Sequence, residues 1–168
     1  VAFFMFTYKG YDIRDSIAGN LACVFALGVA FFPTGVDTLS ECAEQCIVYE
    51  PWIKTVHFTF AGLFFATLIY FSLFLFTASK TPKAELEPHK RKRNVIFKTC
   101  GYVMLACVVL IALYFFYLQE KFPELRHLDP VFWLESIALW AFGISWIVAS
   151  KRAWLISYDK ETEAQADN

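Results

Sequence analysis

Between Thr55 and Thr77 the chain reads TVHFTFAGLFFATLIYFSLFLFT, a run in which His57 is the only ionisable group besides tyrosine. As a helix rising 1.5 Å per residue, such a run crosses a hydrocarbon core of ~30 Å with some tilt to spare. A helix also satisfies its own backbone donors and acceptors, which an open strand or loop in lipid cannot do. The run predicts a membrane span, and it does not stand alone.

Comparable apolar runs occupy 16–32, 95–118 and 131–149. Val1–Tyr8 is too short to cross a bilayer and reads as the last two turns of a helix that begins upstream of Val1. The expected fold is therefore all-α: a polytopic transmembrane helix bundle of four full spans plus the C-terminal end of a preceding one. Residues 1–154 are expected to form one bundle domain, and 155–168 a polar tail. That tail, ending ETEAQADN, should be poorly ordered. Composition agrees: 58% of the residues are hydrophobic and 19% aromatic, against roughly 45–50% apolar in soluble domains.

A net charge of −1 supplies no overall field to attract nucleic acid, and none is expected as a partner. The distribution of charge is more informative. The stretch Thr34–Lys54 is acidic, with Asp37, Glu41, Glu44 and Glu50, whereas 80–94 carries Lys80, Lys83, Lys90, Arg91, Lys92 and Arg93. Cationic loops stay in the cytoplasm and successive helices alternate in direction. Placing the KGYDIRD connection, the basic loop and the C-terminus inside leaves 12 of the 15 Lys and Arg on that side. Only Lys54, Lys121 and Arg126 fall outside.

Gly10 breaks the first helix, and Asp15 or Ser16 is suited to cap the next. That next helix repeats a small residue every fourth position at Ala18, Ala22, Ala26 and Ala30. Small side chains on one face let two backbones approach in lipid, so these four form the expected packing face. Lys98 is placed to snorkel. Lys90, Arg91, Lys92 and Arg93 are candidate contacts for anionic lipid at about 1 kcal/mol each, and they equally read as a plain topology signal. Tyr49, Trp52, Tyr114, Tyr117, Trp133 and Trp154 suit interfacial belts.

His57 and Glu135 each lie about one turn inside the outer end of a span, and ionisable groups in spans face the bundle interior or a wet cavity. They form the candidate polar or ligand pair. Three roles are open to them: a structural lock between helices, a proton or ligand site, or part of a metal-dependent hydrolytic centre. No metal is expected, since Cys42 and Cys46 stand in no matched zinc spacing and the chain has only 3 His. In an oxidising outer compartment Cys42 and Cys46 are instead a candidate disulfide, although four residues apart is an awkward geometry on a regular helix. Cys23, Cys100 and Cys107 read as small apolar packing residues. The sequence contains no phosphate loop, nucleophile elbow, HExxH or dinucleotide fingerprint, and no cofactor is expected.

The stretches TYKGYD, DSIAGNLACVFALGVAFFPT, HFTFAGLFF, GYVMLAC and PVFWLESIALWAFGISWIV together resemble a family of uncharacterised bacterial multi-spanning membrane proteins. The resemblance runs from Phe6 to Val148 and includes His57 and Glu135; the outer loop from Gly35 to Glu50 stands apart from it. It implies a further span and an outer segment upstream, location in a bacterial inner membrane, and no particular activity. The expected function is that of an accessory or scaffold component of a membrane complex, with lipids and other membrane subunits as partners. The alternatives are a small transporter or ligand-binding protein with an outer cavity at His57 and Glu135, and a metal-dependent membrane hydrolase.

Overall fold

A computed structural model describes residues 2–6, 13–34, 51–78 and 88–166, and among these the chain is all-helical, with no strand. The helices are α1 (Ala2–Phe6), α2 (Ile13–Phe31), α3 (Pro51–Tyr70), α4 (Pro88–Leu113), the short α5 (Gln119–Lys121) and α6 (Pro130–Ala166). α3 passes into a π-helical turn at Phe71–Leu75 and α4 into another at Tyr114–Leu118, while a 3₁₀ turn at Pro123–Leu128 precedes α6. Among the described residues four helical stretches are long and apolar enough to cross a membrane: Ile13–Phe31, Trp52–Leu75, Arg91–Lys121 and Pro130–Ser150.

Two boundaries differ from expectation. α2 begins at Ile13, so Asp15 sits inside its first turn rather than at a cap, where its charge still complements the helix dipole. The last helix does not stop at Ala149 but continues to Ala166. The segment beyond Lys151 contains neither Gly nor Pro and includes Ala, Glu, Lys and Gln, residues whose helix propensity carries it on.

The chain divides by its contacts into two compact units, 1–71 and 72–168. In the first unit α1 packs on α2 and α2 on α3. The buried line of α2 is Asp15, Ala18, Gly19, Ala22, Cys23 and Gly28. Ala18 and Ala22 therefore lie in the interior, Ala26 is half-buried and Ala30 is exposed. A strict four-residue repeat drifts by about 40° per step around a 3.6-residue helix, which carries Ala30 off the face on which Ala18 begins. Gly28 continues the contact instead. A Cβ at this position would collide with the ring of Phe60, so the absent side chain is what allows the two helices to meet there.

On the opposing helix Ala61, Phe64, Phe65, Leu68 and Phe71 are buried, while Leu63 is 44% exposed. Phe60 stacks on Phe32 with ring centroids 6.1 Å apart and planes inclined by 10°, and lies 6.3 Å from Phe25. These contacts join the C-terminal part of α2 to the N-terminal part of α3, so the two helices run antiparallel.

The second unit is built on the packing of α4 against α6. Phe76 is its aromatic centre, 5.4 Å from Phe97, 6.5 Å from Phe142 and 5.8 Å from Trp146, ring to ring. Beside it, Ser72 donates its hydroxyl to the Phe97 carbonyl at 2.8 Å and lies 2.8 Å from the Ser145 hydroxyl. With the Ser72 proton committed to the carbonyl, Ser145 is the donor in the second bond. Both serines are fully buried, and their bonds tie three helical segments together. In membrane interiors such bonds contribute about 0.6 kcal/mol each and at most about 1.7. Gly101, one turn beyond Phe97, leaves the space that Leu73 fills.

Most of the remaining surface is apolar. Phe116 is 79% exposed, Trp140 65% and Phe74 60%. Only 22–33% of each spanning stretch is buried. In water that surface would exceed the patches a soluble monomer tolerates, whereas in lipid it is the matching solvent.

Candidate functional site

His57 belongs to the first unit and Glu135 to the second, and each has its own surroundings. α2 ends because Pro33 follows Phe32 and cannot donate a backbone hydrogen bond. The Phe32 N–H still reaches the Gly28 carbonyl at 3.1 Å, which leaves the Phe32 carbonyl as one of the orphan acceptors of a helix C-terminus. His57 supplies the missing donor: its Nδ1–H bonds that carbonyl at 2.7 Å. The ring is half-buried and lies edge-on to Phe58, with centroids 5.7 Å apart. In the neutral imidazole this bond fixes the proton on Nδ1 and leaves Nε2 as an acceptor. The sequence marks His57 only as an ionisable group in a span. Its role as the cap of another helix depends on where α2 stops, and the pattern around His57 does not contain that information.

Glu135 lines a cavity of about 310 Å³ at the start of α6, together with Tyr114, Arg126, Asp129, Pro130, Val131 and Phe132. Three local features of the chain build it. The π-helical turn of α4 closes with the Gln119 N–H bonded to the Tyr114 carbonyl, and Tyr114 is buried there rather than placed in an interfacial belt. Such turns recur at functional sites because they re-aim one side chain. The 3₁₀ turn then brings Arg126 round. Asp129, with φ 43° and ψ 54°, is the one non-glycine residue with positive φ among the described residues. Its N–H bonds the Arg126 carbonyl at 3.2 Å, and its own carbonyl accepts from Trp133 N–H at 3.2 Å as α6 begins. Pro130 at the first helical position has its φ preset for the turn. A left-handed aspartate is strained, and strain of this kind collects at binding sites.

The cavity brings together one cation, two carboxylates, a phenol and an aromatic ring. Its size is at the lower end of small-molecule pockets. Of its polar residues the sequence singles out only Glu135 as a site; Arg126, Asp129 and Tyr114 come to it through the two irregular turns, which have no periodic signature. The available signal is the dipeptide Asp129–Pro130 ahead of an apolar run, which marks a helix start.

Among the described residues no three His, Cys, Asp or Glu side chains converge as a metal ion requires. Cys23, Cys100 and Cys107 are buried free thiols in the spans. Cys42 and Cys46, with the acidic loop around them, lie outside the described residues. Arg91 and Lys92 are exposed on the first turns of α4 and Arg93 is half-buried; the side chain of Lys90 is outside the described ones.

Four spanning helices with a predominantly apolar exterior define a multi-pass membrane protein. In comparison with known proteins, no family model, curated protein or solved structure matches this chain.

Proposed function

We propose that this protein is an inner-membrane ligand-binding protein of the bacterial family it resembles, with the basic start of α4 and the C-terminus in the cytoplasm. In this reading the Glu135 cavity opens on the outer side and receives a small amine-bearing molecule or headgroup. The observation that carries it is the lining of that cavity. Two carboxylates against one guanidinium leave a net negative charge, and Phe132 and Tyr114 add to the lining two aromatic rings, a residue type that attracts cations.

Ethanolamine and choline are suitable probes. A ligand that binds only the folded state stabilises it by about 2.7 kcal/mol at a hundredfold excess over its Kd. Either amine should raise the melting temperature of the detergent-purified protein relative to the same protein without amine, and Glu135→Gln should abolish that shift. An equal shift in the variant, or none in the parent, would contradict the reading.

A second reading, that of an accessory subunit, has its own support. Trp133, Ile137, Trp140, Ile144 and Ile147 are all exposed on α6 and are spaced alternately four and three residues apart. This is the heptad spacing of a helix seam, and lipid alone does not require it. A photocrosslinker at position 140 in native membranes should give one discrete protein adduct. Adducts with lipid alone would remove the subunit reading.

A further inference from the structure

The first unit carries a second concavity, an open groove of about 380 Å³ along the junction of α2 and α3. Ala18 and Ala66 leave the depression, Leu21 and Leu63 flank it, and Arg14 and Tyr70 also line it. Because α2 and α3 run antiparallel, with Gly28 opposite Phe60, the start of α2 lies beside the end of α3. Arg14 and Tyr70 therefore share one end of the groove. From Arg14 to Phe25, which also lines it, the helix rises roughly 16 Å, half the ~30 Å hydrocarbon thickness of a bilayer.

The groove thus runs for the depth of one leaflet. At its headgroup end is a guanidinium; from there toward the midplane it is walled by aliphatic and aromatic side chains. Leu21, Leu63 and Ala66 are exposed, and neither α2 nor α3 covers them. Arg is suited to phosphate because its planar fork donates two parallel hydrogen bonds and never loses its charge.

We propose that this groove is a binding site for one anionic phospholipid, with an acyl chain along Leu21 and Leu63 and the phosphate-bearing headgroup at Arg14. The site is separate from the Glu135 cavity and does not depend on the amine reading. It also differs from the basic run at the start of α4, which attracts anionic lipid by charge alone and offers no place for a chain.

The test is native mass spectrometry of the delipidated protein, carrying Glu135→Gln throughout so that the other cavity holds no choline headgroup, titrated with phosphatidylglycerol or phosphatidylcholine of the same acyl length. The parent should retain phosphatidylglycerol in preference. Arg14→Gln should lower phosphatidylglycerol retention about fivefold, the effect of one basic residue at a membrane surface, and leave phosphatidylcholine nearly unchanged. Ala66→Leu fills the groove from an exposed position and should lower retention of both lipids without lowering the melting temperature. Lys121→Gln removes the same charge elsewhere and should have no effect. Equal retention of the two lipids by the parent would overturn the proposal. So would unchanged phosphatidylglycerol retention in either Arg14→Gln or Ala66→Leu, or a loss in Lys121→Gln as large as that in Arg14→Gln.

Discussion

Gly28→Ala is expected to destabilise the protein by about 2 kcal/mol, while the same substitution at Gly62 on the facing helix should be neutral or stabilising. The new methyl at position 28 meets the root of the Phe60 ring, which cannot swing away without moving its own helix. Overpacking of that severity costs about 3 kcal/mol, and the better helix propensity of alanine returns only about 1 kcal/mol. At Gly62 a methyl meets nothing within 4 Å, so the propensity gain is all that remains. Gly143 on α6 is equally open and should behave like Gly62. Gly101 is intermediate, because the atoms in its way are Cγ and Cδ2 of Leu73, a smaller side chain than the Phe60 ring and one that can change rotamer. Unfolding in mixed micelles gives the four values. If the Gly28 cost arises from Phe60, adding Phe60→Ala should cancel much of it, with a coupling of about 0.5–3 kcal/mol. Equal effects at positions 28 and 62 would mean that α2 and α3 do not meet at Gly28.

This contrast also shows what was legible in the sequence. The spans are readable because lipid imposes a length and an apolar content on any crossing segment: 95–118 and 131–149 fall wholly within helical segments, while 16–32 and 55–77 overrun theirs by one and two residues. On α3 and the π-helical turn that follows it, Ala61, Phe64, Leu68 and Ser72, at helical spacing from His57, are all buried. Periodicity fails where helices meet closely. The alanine repeat points to Ala30, which is exposed, and passes over Gly28, whose importance depends on a bulky partner in another helix. On α6, Ala138 and Phe142 are buried below Glu135, but Leu139 is 41% exposed.

The candidate site was less legible for a related reason. Ionisable residues in spans are conspicuous, so His57 and Glu135 stand out in the sequence. Their surroundings come from irregular backbone: the break at Pro33 that exposes the Phe32 carbonyl to His57, the π-helical turn that buries Tyr114, and the left-handed Asp129. Hydropathy and helical period are silent about such features, because each depends on where a helix ends. Ser72 and Ser145 are silent in another way. A lone serine in an apolar run reads as a small packing residue until its partner, far along the chain, is brought beside it.

The account rests on four crossings that place Arg126 and Glu135 on the face opposite the basic start of α4. Single cysteines at 13, 92 and 150 should be on one side of the membrane and those at 34 and 121 on the other; all five positions are exposed and lie at or close to the ends of the spanning helices. In a cysteine-free background, an impermeant maleimide applied to spheroplasts should label 34 and 121 at once, and should reach 13, 92 and 150 only after the membrane is opened. Labelling of 13, 92 and 150 from outside, with 34 and 121 protected, would invert the protein and put the Glu135 cavity in the cytoplasm. Labelling of all five in sealed spheroplasts would contradict the four crossings themselves.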